Sequence, residues 1–233
     1  MRSPVRGVRS RALSRIDQFS ILDGWARLFA RLQKGVLLYH LGKRFPTIGR
    51  SYGFTDLWVV FRLVLSVFFL LLSGLPGRHP LEMLLIIIGA YSVFEALVVQ
   101  VNVLVFGGYL AGKKGLKHRV KGYRRLVLTS LHNYAEIIVW FALFYRNLEC
   151  CLRASQDLPI NSFVVSLNFS FVTMTTFGHS DIKPTNWIGV VLTLVQATIG
   201  LLMVLLILSG FIGLLPPPFT KDKGERHEHS AMR

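Results

Sequence analysis

Apolar residues in this chain gather into long blocks separated by short polar or basic stretches. Four blocks approach or exceed the roughly 20 residues a helix needs to cross a bilayer. The first runs from about Leu57 to Leu75 and contains a single charge, Arg62. The stretch from Gly74 to Pro80, rich in Gly and Pro, reads as a tight turn, and a second block follows from about Leu81 to Gly107. The third block covers about Leu126 to Tyr145. The fourth covers about Trp187 to Leu215, where Pro216, Pro217 and Pro218 stop it. Between the third and fourth lies a shorter apolar stretch, with Pro159 placed to start a helix that continues to about Thr175. Such a helix is roughly 20 Å long, against a hydrocarbon core of about 30 Å. Non-helical backbone at membrane depth survives only where protein or a water-filled cavity shields it. The pattern therefore predicts an all-α membrane protein with four transmembrane helices, and a re-entrant half-helix and extended loop between the third and fourth.

Composition sharpens this picture. Apolar residues make up 52% of the chain and charged residues only 17%, yet the formal net charge is +15. Most of the excess lies in the first fifty residues and between Lys113 and Arg125, outside the apolar blocks. Arginine-rich segments can bind nucleic acid, but membrane topology explains the same placement, and no nucleic-acid partner is expected. Lys and Arg accumulate on the cytoplasmic side, and the connections Gly74–Pro80 and Arg146–Pro159 carry few charges. With four spans every basic segment falls inside, so both termini are expected in the cytoplasm of a cell-membrane protein. The organisation follows: a basic N-terminal region over 1–50, a two-helix membrane unit with its basic loop over 51–125, a third unit over 126–216 and a tail over 217–233.

Within the N-terminal region a helix is expected from about Ser20 to Leu41. Ile21, Trp25, Leu28, Leu32 and Val36 recur at helical spacing, and Arg27, Arg31 and Lys34 share another face. Ser20 and Asp23 resemble a capping start. Such a helix suits an anionic lipid surface at the cytoplasmic face, or packing on the protein's own inner surface. The first nineteen residues, rich in Arg and Ser, read as a cytoplasmic tail, with an organellar transit peptide as the other reading. The neighbouring Cys150 and Cys151 have no metal-ligand spacing and are expected to be free thiols or to crosslink subunits.

The short stretch before the fourth block carries the chemistry. Thr173-Met174-Thr175-Thr176-Phe177-Gly178-His179-Ser180-Asp181-Ile182-Lys183-Pro184 resembles the pore segment of potassium channels, T-x-T-T-V-G-Y-G-D-x-x-P. Thr173, Thr175, Thr176, Gly178, Asp181 and Pro184 match, and Phe177 stands for the usual Val or Ile. The resemblance covers about Leu126 to Leu215. It implies an ion-binding filter at Thr176, Phe177, Gly178, His179 and Ser180, with support from Thr175 and Asp181 and a gating hinge at Gly200. One pore loop per chain then implies a homotetramer, with K⁺ as the permeating ion and no enzymatic cofactor. Two positions depart from the pattern: His179 stands where Tyr or Phe is usual, and Ser180 replaces a glycine. A side chain in the left-handed backbone that glycine provides costs about 1–2 kcal/mol, so Na⁺ permeation through a relaxed filter is a second expectation. Two readings of His179 follow: a neutral hydrogen-bonding substitute for Tyr, or a ring of four imidazoles that makes the outer mouth responsive to pH.

Arg62, Glu95 and Glu136 are expensive at membrane depth and should face protein or water, with Arg62 and Glu95 as a candidate pair. Ser92, Glu95 and Asn102 share one face of the second block, and Thr129, Asn133 and Glu136 share one of the third. Two rivals stand beside the channel. One is an intramembrane enzyme or transporter, suggested by His132 and Glu136 one helical turn apart. The other is a non-conducting regulatory subunit, suggested by His179 and Ser180.

Overall fold

In a membrane a run of Leu, Val, Ile and Phe offers the backbone no polar partner but itself, so each apolar block closes into a helix. The computed structural model of the chain describes residues 21–44, 52–74, 79–113, 122–154, 159–177 and 181–214. Helices α1 (Ile21–Leu32) and α2 (Leu37–Arg44) precede α3 (Tyr52–Leu72) and α4 (His79–Val101). A π-helical turn, Asn102–Phe106, extends α4 into α5 (Gly107–Lys113). Then come α6 (Tyr123–Asn147), strand β1 (Leu152–Ala154), α7 (Phe163–Thr175), strand β2 (Ile182–Pro184) and α8 (Trp187–Ile212). Among the described residues, three helical stretches are long and apolar enough to cross a membrane: Leu81–Phe106, Arg124–Asn147 and Trp187–Ile212. Helix α3 adds 21 residues, about 31 Å at 1.5 Å per residue.

Helix α6 is the central mast, in contact with α3, α4, α7 and α8. Its residues from Glu136 to Tyr145 are all buried. Consecutive long helices run in opposite directions. Arg125 and Asp56 pair at 2.7 Å at one end of the bundle, while at the other Arg146 donates to the Leu70 carbonyl at 2.7 Å. Gly89 of α4 packs against the rings of Trp140 and Phe144, a separation too small for any larger residue.

Charge at the middle of this bundle is paired. Arg62 meets Glu95 at 3.4 Å and Glu136 at 2.8 Å, and donates to the Ser92 carbonyl at 2.8 Å. Trp140 adds a donor to the same Glu136 oxygen at 3.1 Å. The expected Arg62–Glu95 pair is therefore present, but the stronger partner is Glu136, and one guanidinium ties α3 to both α4 and α6. Nearby, Gln100 bonds Ser130, and Asn133 donates to Gln100 at 3.1 Å. Gln100, Ser130 and Asn133 are thus matched to one another between α4 and α6.

The N-terminal helix departs from expectation in two ways. It is broken, since α1 passes through a 3₁₀ turn at Gln33–Gly35 to an extended Val36 before α2 begins. It also lies along α4 and α5 in the opposite direction. Asp23 bonds Lys113 at 2.7 Å and accepts from Tyr109, Asn102 donates to the Phe29 carbonyl at 3.1 Å, and Tyr91 donates to the Gly35 carbonyl at 2.9 Å. One side of α1 therefore packs on the protein's own surface. Asp23 is part of this clamp, and Ser20, its expected partner in a capping start, lies outside the described residues. The Lys113 and Tyr109 hydrogen bonds hold the Asp23 carboxyl below its ordinary value of 3.8. The clamp is accordingly complete above that value and released as pH falls through the lower folded one.

Replacing Arg62 by Met strands two buried carboxylates and is expected to cost about 3–5 kcal/mol, seen as a lower thermal midpoint of the detergent-purified protein. Adding Glu95→Gln and Glu136→Gln to that variant should recover most of the loss. A triple variant no more stable than the single one would mean that the ion cluster does not organise these helices.

Candidate pore segment

Helix α7 is 13 residues long, about 20 Å. The chain enters it through a turn in which Ser162 N–H bonds the Pro159 carbonyl at 2.9 Å, so Pro159 opens that turn and the helix itself begins at Phe163. Ser166, Phe169, Ser170 and Met174 form its buried face, at the i, i+3, i+4, i+8 spacing of a helix packed on one side. Being short and rich in β-branched and aromatic residues, α7 owes its stability to this packing more than to propensity.

A buried relay holds it in place. Tyr145 of α6 donates to Gln196 of α8 at 2.6 Å. The Gln196 amide donates to the Ser170 carbonyl at 2.9 Å and hydroxyl at 2.8 Å, and that hydroxyl donates to the Ile138 carbonyl at 2.6 Å. Tyr145, Gln196 and Ser170 are fully buried. Three helices are joined by one satisfied chain of hydrogen bonds.

At the C-terminal end of α7 the backbone turns sharply. Thr176 adopts a left-handed conformation, φ 56° and ψ 27°, the single non-glycine residue of this kind among the described residues. Its N–H and that of Phe177 both reach the Val172 carbonyl. The Met174 carbonyl accepts from the Tyr134 hydroxyl at 3.3 Å. Gly200 of α8 sits so close that a Cβ there would run into this same carbonyl. Thr175 is half-buried and its hydroxyl returns to the Phe171 carbonyl at 2.7 Å. Thr176 and Phe177 are exposed in the single chain. Gly178, His179 and Ser180 lie outside the described residues.

Beyond them, Asp181 is exposed and leads into β2, which pairs antiparallel with β1 in the register Leu152↔Pro184, Arg153↔Lys183 and Ala154↔Ile182. This small sheet is an addition to the all-helical expectation. Thr185 N–H bonds the Cys151 carbonyl at 2.9 Å, and the Asn186 side chain caps α8 by accepting from Gly189 N–H at 2.9 Å. The loop following α7 is thus anchored at both ends, by α7 itself and by the sheet leading into α8. The Cys150 and Cys151 sulfurs lie 3.7 Å apart, in contact but not joined as a disulfide.

Residues 134–215 match the family model of ion channels. The matched segment, about a third of the chain, runs from the middle of α6 through α7 and the anchored loop to the end of α8. It supports a membrane ion channel of the pore-loop superfamily. No curated protein and no solved structure matches the chain.

Within the matched segment Thr175, Thr176 and Phe177 stand together at the end of α7, with Gly200 against the same turn, while Asp181 follows the loop. The supporting relay of Tyr134, Tyr145, Ser170 and Gln196 went unnoticed in the sequence. Its signal was Gln196, an amide in the middle of a 26-residue apolar helix. His132 and Glu136 do not converge: His132 bonds the Leu128 carbonyl at 2.8 Å, whereas Glu136 faces Arg62. No group of three metal-ligating side chains occurs among the described residues.

Gln196→Leu leaves the Tyr145 hydroxyl without its acceptor and should cost about 1–3 kcal/mol of stability. Gly200→Ala drives a methyl at the Met174 carbonyl and should cost about as much, as overpacking does. Both are read from thermal unfolding in detergent, and an unchanged midpoint in either variant would mean that its contact does not hold α7.

Proposed function

We propose that this chain is one subunit of a homotetrameric cation channel that conducts K⁺ passively through a filter formed by Thr176, Phe177, Gly178, His179 and Ser180. The observation that carries the reading is a 13-residue helix, too short to cross a bilayer, that ends at the exposed Thr176 and Phe177.

A cation entering hydrocarbon loses its hydration at prohibitive cost. Rings of backbone carbonyls replace the lost water, and one loop supplies one ligand per layer. Four copies close such rings. The C-terminal end of α7 carries partial negative charge, which favours a cation on the approach to the filter. Thr175 and Asp181 brace the filter, and Gly200 lets α8 approach the end of α7, so bending there alters the filter's foundation. Helix α3 serves as the fourth span. Its membership leaves the basic termini and the Lys113–Arg125 loop on the cytoplasmic side of the cell membrane. The unit over 126–216 is then the pore domain, and 51–125 is a two-helix scaffold.

Purified protein in liposomes should pass K⁺ down its gradient in preference to Na⁺. Equal fluxes would keep the channel and remove its selectivity, and no flux from an intact tetramer would favour the non-conducting subunit. Protonated His179 places positive charge in the cation path, so inward current should fall as external pH drops through the imidazole range, around pH 6.5. His179→Gln should abolish that dependence. Identical pH profiles for the two channels would remove His179 from the ion path.

A further inference from the structure

Helix α1 presents its most apolar edge away from the protein. Asp23, Ala26 and Phe29 form the packed side: Ala26 is 2% exposed, and the Phe29 ring lies 5.4 Å from that of Phe106. Ile21, Trp25 and Leu28, spaced four and three residues apart, remain 81%, 53% and 44% exposed. At 100° per residue these three centre about 130° from the packed side. Arg27 and Arg31, with Lys34 in the following turn, repeat the same four-and-three spacing and are also exposed. A soluble environment gives no reason to expose tryptophan and isoleucine beside a row of cations. An interfacial environment does, because acyl chains take the apolar edge and phosphates take the cations.

The position of the helix agrees. It is fastened to the Asn102–Phe106 turn and to Lys113, at the end of the Leu81–Phe106 membrane segment. Val103 and Val105 of that turn are themselves exposed. They lie between Asn102 and Phe106, the residues that α1 packs against, and share the apolar character of its exposed edge. A symmetric second copy would instead bring two rows of like charge together.

We propose that α1 is an anionic-lipid docking site of the cytoplasmic leaflet, with Ile21, Trp25 and Leu28 among acyl chains and Arg27, Arg31 and Lys34 on lipid phosphates. The π-helical turn widens the end of the second membrane segment and lets Asn102 reach the backbone of α1, in keeping with the frequent use of such bulges at functional sites. Lipid held on α1 thereby bears on α4, and through the Arg62 cluster on α6. The inference rests on the membrane placement proposed above but not on ion conduction, so a protein that fails to conduct leaves it standing.

The test reconstitutes the full chain into phosphatidylcholine vesicles containing phosphatidylglycerol, with bromine quenchers on either the anionic or the zwitterionic lipid. Subtracting the Trp25→Phe signal isolates Trp25 from the other three tryptophans. Trp25 should be quenched several-fold more by brominated phosphatidylglycerol than by brominated phosphatidylcholine at equal content. The preference should vanish in a variant carrying Arg27→Gln, Arg31→Gln and Lys34→Gln. Equal quenching by both lipids in the unmodified chain would overturn the proposal. So would the absence of quenching by either, which would show that protein covers the stripe.

Discussion

Backbone carbonyls at the end of a helix that stops inside a membrane have neither a next turn nor bulk water to bond. Helix α7, about 20 Å long, ends at Thr175, and the surrounding fold holds that end. Val172 takes two amides, Met174 takes the Tyr134 hydroxyl, and Thr176 turns the chain through a left-handed residue. Strained backbone of this kind persists only where its surroundings over-determine it. Here those surroundings are the buried relay of Tyr145, Gln196 and Ser170, and the missing side chain of Gly200.

That relay depends on α6 being fixed, and α6 is fixed by the helices that precede it in sequence. A lone Arg62 in the first apolar helix is affordable because two carboxylates and a carbonyl converge on it from α4 and α6. Removing charge from one partner alone leaves the others stranded, whereas neutralising all of them removes the problem. Bonded contacts therefore run without a gap from α1 through the α4 bulge and the ion cluster to the relay around α7.

Much of this was legible in the sequence. Block lengths marked the long helices, because only a helix satisfies its own backbone in hydrocarbon, and the end of α7 was placed at about Thr175, where it lies. The Arg62–Glu95 pair was readable because a charge at that depth demands a partner. Glu136 was flagged as costly, but nothing in one dimension says which carboxylate lies nearer. The Gln196 relay was missed because three helices contribute to it, and only their packing brings the groups together. The break at Val36 was hidden by unbroken helical periodicity: tertiary contacts from Tyr91 and Asn102 decide the course of that segment. Strand pairing between residues 152–154 and 182–184 was equally invisible, since three-residue strands carry no usable alternation.

The central claim is that ions pass along the loop beginning at Thr176. It is tested most directly by silver block of a Thr176→Cys channel in a Cys150→Ser, Cys151→Ser background, recorded in a planar bilayer. Silver is a monovalent cation that binds thiolate tightly. If Thr176 lines the path, current through the cysteine variant should be lost irreversibly in silver, while the thiol-free background is unaffected. Current that continues unchanged through the cysteine variant would place the ion path elsewhere.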